Sequence, residues 1–70
     1  MKRDNKYEYE ITRRNIIHNG TKSNRFIFVR RKIGAERWNR VPDTPSFDLL
    51  GQAETAFSVF GMNHGLQEGG

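Results

Sequence analysis

The chain has 70 residues and a formal net charge of +4 at pH 7, and a chain of this length forms at most one domain, which we place at residues 1–70. It contains no cysteine, which excludes disulfides, thiolate metal sites and a cysteine nucleophile. No apolar run approaches the roughly 18 residues of a membrane span, and the N-terminus lacks a signal-peptide core, so we expect a cytoplasmic protein that does not bind membranes.

A first β-strand is predicted for residues 6–17. Apolar and polar side chains alternate from Tyr7 to Ile11, as in an antiparallel strand with one buried face. Asn19-Gly20 then favours a tight two-residue hairpin turn, because both residues accept the positive φ of a type I′ turn. The residues around this turn are polar, so a longer loop from His18 to Asn24 is the alternative.

Residues 25–33 include the most β-prone run of the chain and predict a second strand. Apolar side chains point to both of its faces, with Phe26 and Phe28 on one face and Ile27 and Val29 on the other. A strand that is apolar on both faces is usually central in its sheet.

The register between these two strands is open. With the tight turn, Ile11 lies opposite Phe28, so the two tyrosines of the first strand share a face with the two phenylalanines of the second. A shift by one residue groups the tyrosines with Ile27 and Val29 instead. The sequence is compatible with both registers.

A third, short strand is predicted for residues 36–41, with Trp38 as its main apolar contribution. The two prolines that follow end it, because proline has no N–H to donate to a neighbouring strand. Either Thr44 or Asp48 is expected to cap the helix that comes next.

A helix is predicted for residues 47–60, where apolar residues recur at helical spacing from Leu49 to Phe60. Gly61 is its expected C-terminal stop. Residues 1–5 are polar and residues 62–70 are rich in glycine, so both segments are expected to fray.

The predicted fold is therefore α+β, a three-stranded antiparallel β-meander covered on one face by a single C-terminal α-helix. The segment Phe57-Ser58-Val59-Phe60 also fits a strand. A small all-β barrel is accordingly the alternative architecture.

Positive charge is concentrated in one part of the chain. Between Arg13 and Arg40, nine Lys and Arg residues stand against Glu36 alone, whereas no Lys or Arg follows Arg40. This segregation indicates an anionic partner that meets the hairpin and strands rather than the helix. We predict a nucleic-acid-binding accessory or regulatory protein for DNA or RNA. Its contacts are the basic residues of this region and two rings: Arg13, Arg14, Lys22, Arg25, Phe26, Phe28, Arg30, Arg31, Lys32, Arg37 and Arg40.

The run Phe26-Ile27-Phe28-Val29, preceded by Arg25, partly resembles the strand motif of RNA-recognition and cold-shock domains. Arg25 and Ile27 replace the small residues of that motif, and Arg31 replaces its final aromatic residue. The resemblance implies that Phe26 and Phe28 stack on unpaired bases beside phosphate-binding cations. The alternative is that both rings belong to the core.

Phe47, followed by Ala53-Glu54 and Phe57, resembles the strand-to-helix junction in the amino-terminal DNA-binding domains of phage-type integrases. Leu49 stands where that pattern has a helix-capping hydroxyl, and Gly51 interrupts the first helical turn. The resemblance implies a βββα fold whose sheet enters a groove of duplex nucleic acid.

The predicted helix carries apolar residues on more than one stripe and little charge. One interpretation is an interface with another protein or with a second copy of the chain, which would give a homodimer. The alternative is a wide core face. The competing function is a small phage- or plasmid-type inhibitor that docks on an acidic surface of a host protein. The interface residues would be Leu50, Phe57, Val59 and Phe60.

An enzyme is not expected. His18 and His64 are isolated from other metal-ligand residue types. The chain has neither a nucleophile motif nor a glycine loop that would hold a phosphate. No catalytic residue, metal site or cofactor is predicted.

Overall fold

The computed structural model describes residues 1–69, which form an α+β fold with one antiparallel sheet and one helix. The sheet has five strands in the order β4-β3-β2-β1-β5, and the helix packs against one of its faces. The last apolar segment is helical, so the all-β barrel is excluded. The elements in chain order are β1 (Lys2–Arg3), β2 (Tyr7–His18), β3 (Thr21–Lys32), β4 (Asn39–Arg40), α1 (Leu50–Asn63) and β5 (Gln67–Glu68).

The tight hairpin between β2 and β3 is confirmed. Asn19 and Gly20 have φ values of 52° and 77°, as a type I′ turn requires. The register places Ile11 opposite Phe28 and continues without a bulge to the turn, so the longer loop from His18 to Asn24 does not form.

The core lies between the sheet and α1. Tyr9, Phe28, Val41 and Phe57 are buried there, and Phe60 packs against them. The ring of Phe28 is 5.1 Å from that of Phe57 and 5.4 Å from that of Phe60, centroid to centroid. Since each large apolar side chain contributes about 1.5–3 kcal/mol when fully buried, this aromatic cluster is the main stabilising feature of the fold.

The helix begins and ends three residues later than predicted, at Leu50–Asn63 instead of residues 47–60. Neither predicted cap acts as one: Thr44 Oγ1 donates to the carbonyl of Val41 (2.7 Å), and Asp48 pairs with Arg25. The residue before the helix is Leu49, which makes no side-chain capping bond. Thr44 and Asp48 therefore stabilise the connector before the helix rather than the first turn of the helix.

At its C-terminal end the helix runs past Gly61 and ends at Asn63, and Gly65 follows the C-cap residue His64. Gly65 has a φ of 64°, and its N–H reaches the carbonyl of Met62 (3.3 Å). The N–H of Leu66 donates to the carbonyl of Gly61 (2.8 Å), which completes a Schellman motif. Gly61 is buried because the side chain of Lys2 lies across it.

Both ends of the chain are expected to fray, and in the described residues each of them contains a two-residue strand. Lys2 pairs in the sheet with Tyr9 on one side and Glu68 on the other, and its Nζ lies 2.8 Å from the Glu68 carboxylate. Strands β1 and β5 are too short to show a sequence pattern, and they form through long-range pairing, β1 with both β2 and β5. The last residue of the predicted tail, Gly70, lies outside the described residues.

We call the sheet face opposite α1 the open face. It carries the even-numbered residues of β2 and the odd-numbered residues of β3. Ile27 and Val29 lie on this face but are only 1% and 2% exposed. Arg14, also on this face, reaches toward the carbonyl of Trp38 (3.5 Å).

Candidate nucleic-acid interface

A cleft of about 400 Å³ opens at the β4 edge of the sheet, between the C-terminal end of β3 and residues 34–42. We call it the basic cleft, because five of its lining side chains are cationic and none of those described is acidic. Its lining residues are Tyr7, Arg30, Arg31, Lys32, Ala35, Arg37, Asn39, Arg40 and Pro42.

The turn after β3 creates this cleft. Gly34 has a φ of 92°, a value that favours glycine, and the N–H of Ala35 donates to the carbonyl of Lys32 (2.9 Å). The chain then returns alongside β3, so that Asn39 pairs with Arg30. Cations that are separated along the sequence thereby face one space.

Arg30 occupies the inner wall of the cleft. Its guanidinium lies over the ring of Tyr7, 4.4 Å from the centroid, in a cation–π contact. Among residues 1–69 it takes part in no ion pair. The positive charge of Arg30 is therefore held in place without being neutralised.

Arg31 is positioned from both sides. Its Nε donates to Glu8 Oε1 at 2.9 Å, and its guanidinium stacks 4.5 Å from the ring centroid of Trp38. Arg40 donates through Nη2 to the carbonyl of Thr44 (3.0 Å), which partly fixes its position. Arg31 is thus partly neutralised, whereas Arg40 keeps its full charge.

Lys32 and Arg37 form the outer rim of the cleft. Both side chains are exposed, and neither forms an ion pair within the described part of the chain. Exposed, unpaired cations are the groups that can meet an anion at the lowest desolvation cost.

A second group of predicted cations lies along the hairpin and does not reach the cleft. The guanidinium of Arg13 lies over the ring of Phe26, 5.1 Å from its centroid. Lys22 is exposed next to the turn, and Arg14 crosses the open face. The structure therefore divides the predicted contacts between the basic cleft and the hairpin.

Two of the predicted nucleic-acid contacts, Arg25 and Phe28, are buried. Arg25 is 8% exposed, and its guanidinium is occupied by Ser46 and Asp48. Phe28 is 2% exposed and faces α1 rather than the open face. Phe26 is half-buried, between Arg13 and Phe47. Of the two rings predicted to stack on bases, Phe28 therefore belongs to the core, and Phe26 lies outside the core cluster.

Only some of the residues predicted to form a protein interface on the helix are exposed. Leu50 and Val59 are both 47% exposed, whereas Phe57 is buried against the sheet and Phe60 is half-buried. Phe57 is removed from the interface because it fills the core. The other exposed apolar residues near the helix, Leu49 and Met62, were not predicted as contacts.

Sequence reasoning missed four residues of the basic cleft: Tyr7, Ala35, Asn39 and Pro42. Tyr7 could have been found from the tight register, which places it opposite Lys32. Asn39 and Pro42 depend on how the chain returns after Gly34, for which the sequence carries no periodic signal.

The described residues contain no group of three His, Cys, Asp or Glu side chains that could hold a metal ion. Within the same residues, no helix has the length and hydrophobicity needed to cross a membrane. Comparison of the chain with protein-family models, curated proteins and solved structures gave no match.

Proposed function

We propose that this protein binds nucleic acid, DNA or RNA, and acts as an accessory or regulatory binding protein rather than as an enzyme. The observation that carries the proposal is the basic cleft, in which five cations converge without a described carboxylate in the lining. Phosphate groups are the natural occupants of such a site, because arginine offers them paired N–H donors.

The distribution of charge supports a polymeric ligand over a single phosphate. Lys22 and Lys32 lie at opposite ends of β3, ten residues or about 33 Å apart. Arg13 and Arg14 lie between them on the neighbouring strand. A ligand that meets both the cleft and the hairpin must carry several negative charges along an extended backbone.

The test is a binding titration of labelled DNA and RNA oligonucleotides at low and moderate salt. We expect an affinity that falls steeply with salt. Replacement of Arg37 by Ala is expected to weaken binding and to reduce the salt slope by about 1, as the loss of one phosphate contact does.

Arg3→Ala is the matched control. It removes the same charge at β1, on the far side of β2 from the basic cleft. We expect it to leave affinity nearly unchanged. Failure of every oligonucleotide to bind at low salt, or equal losses for Arg37→Ala and Arg3→Ala, would contradict the proposal.

A second candidate function is that of a small inhibitor that docks on an acidic surface of another protein. The observation that favours it is the exposed apolar surface of the helix, which includes Leu50 and Val59. It predicts a stoichiometric complex with one acidic protein that survives nuclease treatment. Loss of that complex on nuclease treatment would leave the nucleic-acid proposal alone.

A further inference from the structure

A second depression adjoins the basic cleft on the helix side of the sheet. It has a volume of about 580 Å³ and lies between α1 and residues 41–45. We call it the helix groove. Its lining shares Arg30 and Pro42 with the basic cleft, so these two residues form the boundary between the two depressions. A volume of this size is typical of sites that enclose small organic groups.

The floor and one wall of the helix groove are apolar and aromatic. Helix residues at positions i, i+3, i+4, i+7 and i+8 form the wall, from Ala56 to His64. The imidazole of His64 stacks on the ring of Phe60 at a centroid distance of 4.1 Å, and His64 is exposed to solvent. Phe28 and Val41 close the floor. A flat ring entering the groove would therefore meet other rings.

The opposite wall carries the polar side chains of Asp43 and Thr44 between two prolines. Asp43 has a φ of 59°, and Thr44 Oγ1 ties the turn back to the carbonyl of Val41 (2.7 Å). Asn63 faces this wall from the helix side of the groove. The amide, hydroxyl and carboxylate of these residues offer both hydrogen-bond donors and acceptors, which the edge of a nucleobase requires.

The charged residues of the two depressions favour different parts of a nucleotide. Asp43 is the one acidic residue among the described lining of the helix groove, and it would repel a phosphate but not an uncharged ring. Arg30, at the shared wall, favours the phosphate beside it. The pair of depressions thus matches one nucleotide unit, with the phosphate in the basic cleft and the base in the helix groove.

We propose that the helix groove binds an unpaired nucleobase, and that the nucleic acid bound by this protein is single-stranded. The inference rests on the proposed function, because the base enters the groove only when its strand lies in the basic cleft. A base within a duplex has both faces stacked and its pairing edge occupied, so it cannot enter a groove lined by rings.

The test compares four oligonucleotides of equal length: a single strand of DNA, the same strand in RNA, a duplex, and a single strand in which the central bases are replaced by abasic sites. The abasic strand keeps the phosphates and loses the rings. We expect both intact single strands to bind about tenfold more tightly than the abasic strand. The duplex is expected to bind no better than the abasic strand.

Two variants test the groove itself. His64→Ala removes the exposed stacking ring, and Ala56→Leu fills the wall from a half-buried position. Each is expected to reduce the affinity for the intact strand toward that of the abasic strand. Met62→Ala is the control, since Met62 is 77% exposed and does not line the groove. A fluorescent base analogue at the centre of the strand should be quenched by the wild-type protein and not by His64→Ala.

The outcomes separate this inference from the proposed function. If the duplex or the abasic strand binds as tightly as the intact single strand, and His64→Ala is neutral while Arg37→Ala still weakens binding, the base site is wrong and the basic cleft stands. If no strand binds at low salt, both proposals fall. If Ala56→Leu proves unfolded by circular dichroism, His64→Ala decides alone.

Discussion

The guanidinium of Arg25 pairs with the carboxylate of Asp48, two residues before the first residue of α1. Arg25 also donates to the hydroxyl (2.7 Å) and to the carbonyl (2.9 Å) of Ser46. A side chain on β3, the second strand of the hairpin, thereby fastens the connector that leads into the helix. In the sequence Arg25 looks like one more cation of the basic region, whereas its contacts make it a structural residue.

Replacement of Arg25 by Ala is expected to lower the free energy of unfolding by about 2 kcal/mol, because the hydroxyl and carbonyl of Ser46 lose their donors. The figure stays below that for a fully buried ion pair, since the Asp48 side chain is 75% exposed and remains hydrated. Urea denaturation followed by circular dichroism measures the change. A denaturation midpoint equal to that of the wild type would show that the connector does not depend on Arg25.

Asp4 holds the turn between β1 and β2 and should make stability depend on pH. Its Oδ1 accepts from the N–H groups of Lys6 (2.8 Å) and Tyr7 (2.7 Å), and its Oδ2 accepts from the hydroxyl of Tyr9 (3.0 Å). Burial alone would raise the pKa of Asp4, but these hydrogen bonds together hold it below its usual value of 3.8. Asp4→Ala is expected to cost about 1–2 kcal/mol at pH 7.

Since the pKa of Asp4 is lower in the folded state than in the unfolded state, its contribution is complete above about pH 4 and is lost as the pH falls through the folded-state value. The wild type should therefore lose more stability than Asp4→Ala on acidification from pH 5 to pH 2. Burial first, and then the bond to Asp4, raise the pKa of Tyr9 above 10.0, so Tyr9 adds a loss of stability above about pH 10. Parallel acid curves for the wild type and Asp4→Ala would contradict this account.

Two glycines should respond to the same substitution with opposite signs. Gly51 lies in the first turn of α1, where an added methyl group meets nothing within 4 Å, so Gly51→Ala is expected to stabilise the fold by about 0.5–1 kcal/mol. Gly65 is equally free of contacts but has a φ of 64°, so Gly65→Ala is expected to cost about 1 kcal/mol. Thermal unfolding of the two variants measures both. Equal shifts of the two melting temperatures in the same direction would mean that the positive φ of Gly65 is not needed to terminate the helix.

Glu8 limits the charge that Arg31 presents to the basic cleft. Glu8→Gln keeps the shape of the side chain and an acceptor for Arg31 Nε, but it removes the negative charge 2.9 Å from that atom. If the basic cleft holds phosphates, this change is expected to raise the affinity for oligonucleotides about threefold. Glu54→Gln, on the exposed side of the helix, is the control and should have little effect. An unchanged affinity for Glu8→Gln would place the phosphates away from Arg31.

Much of the architecture could be predicted because it depends on local patterns. The alternation that begins at Tyr7, the Asn19-Gly20 turn and the helical spacing that ends near Phe60 each indicate one element, and all three are present. The interior position of β3, between β2 and β4, also agrees with its sequence, since a strand with apolar residues on both faces is usually not an edge strand. These features depend on backbone preferences and on periodicity within a few residues.

What the sequence determines by itself is that Phe26 and Phe28 share one face of β3, that Ile27 and Val29 share the other, and that the cations follow them. Only the tertiary structure decides which face receives the helix. The decision depends on contacts among Tyr9, Phe28 and Phe57, which are far apart in the chain. The same packing determines whether each cation is buried or exposed. The connector buries Arg25, whereas Arg37 is exposed at the rim of the cleft. Sequence periodicity determines on which face of a strand a side chain lies. Whether that side chain is buried or ion-paired depends on which distant residues the folded chain packs against that face.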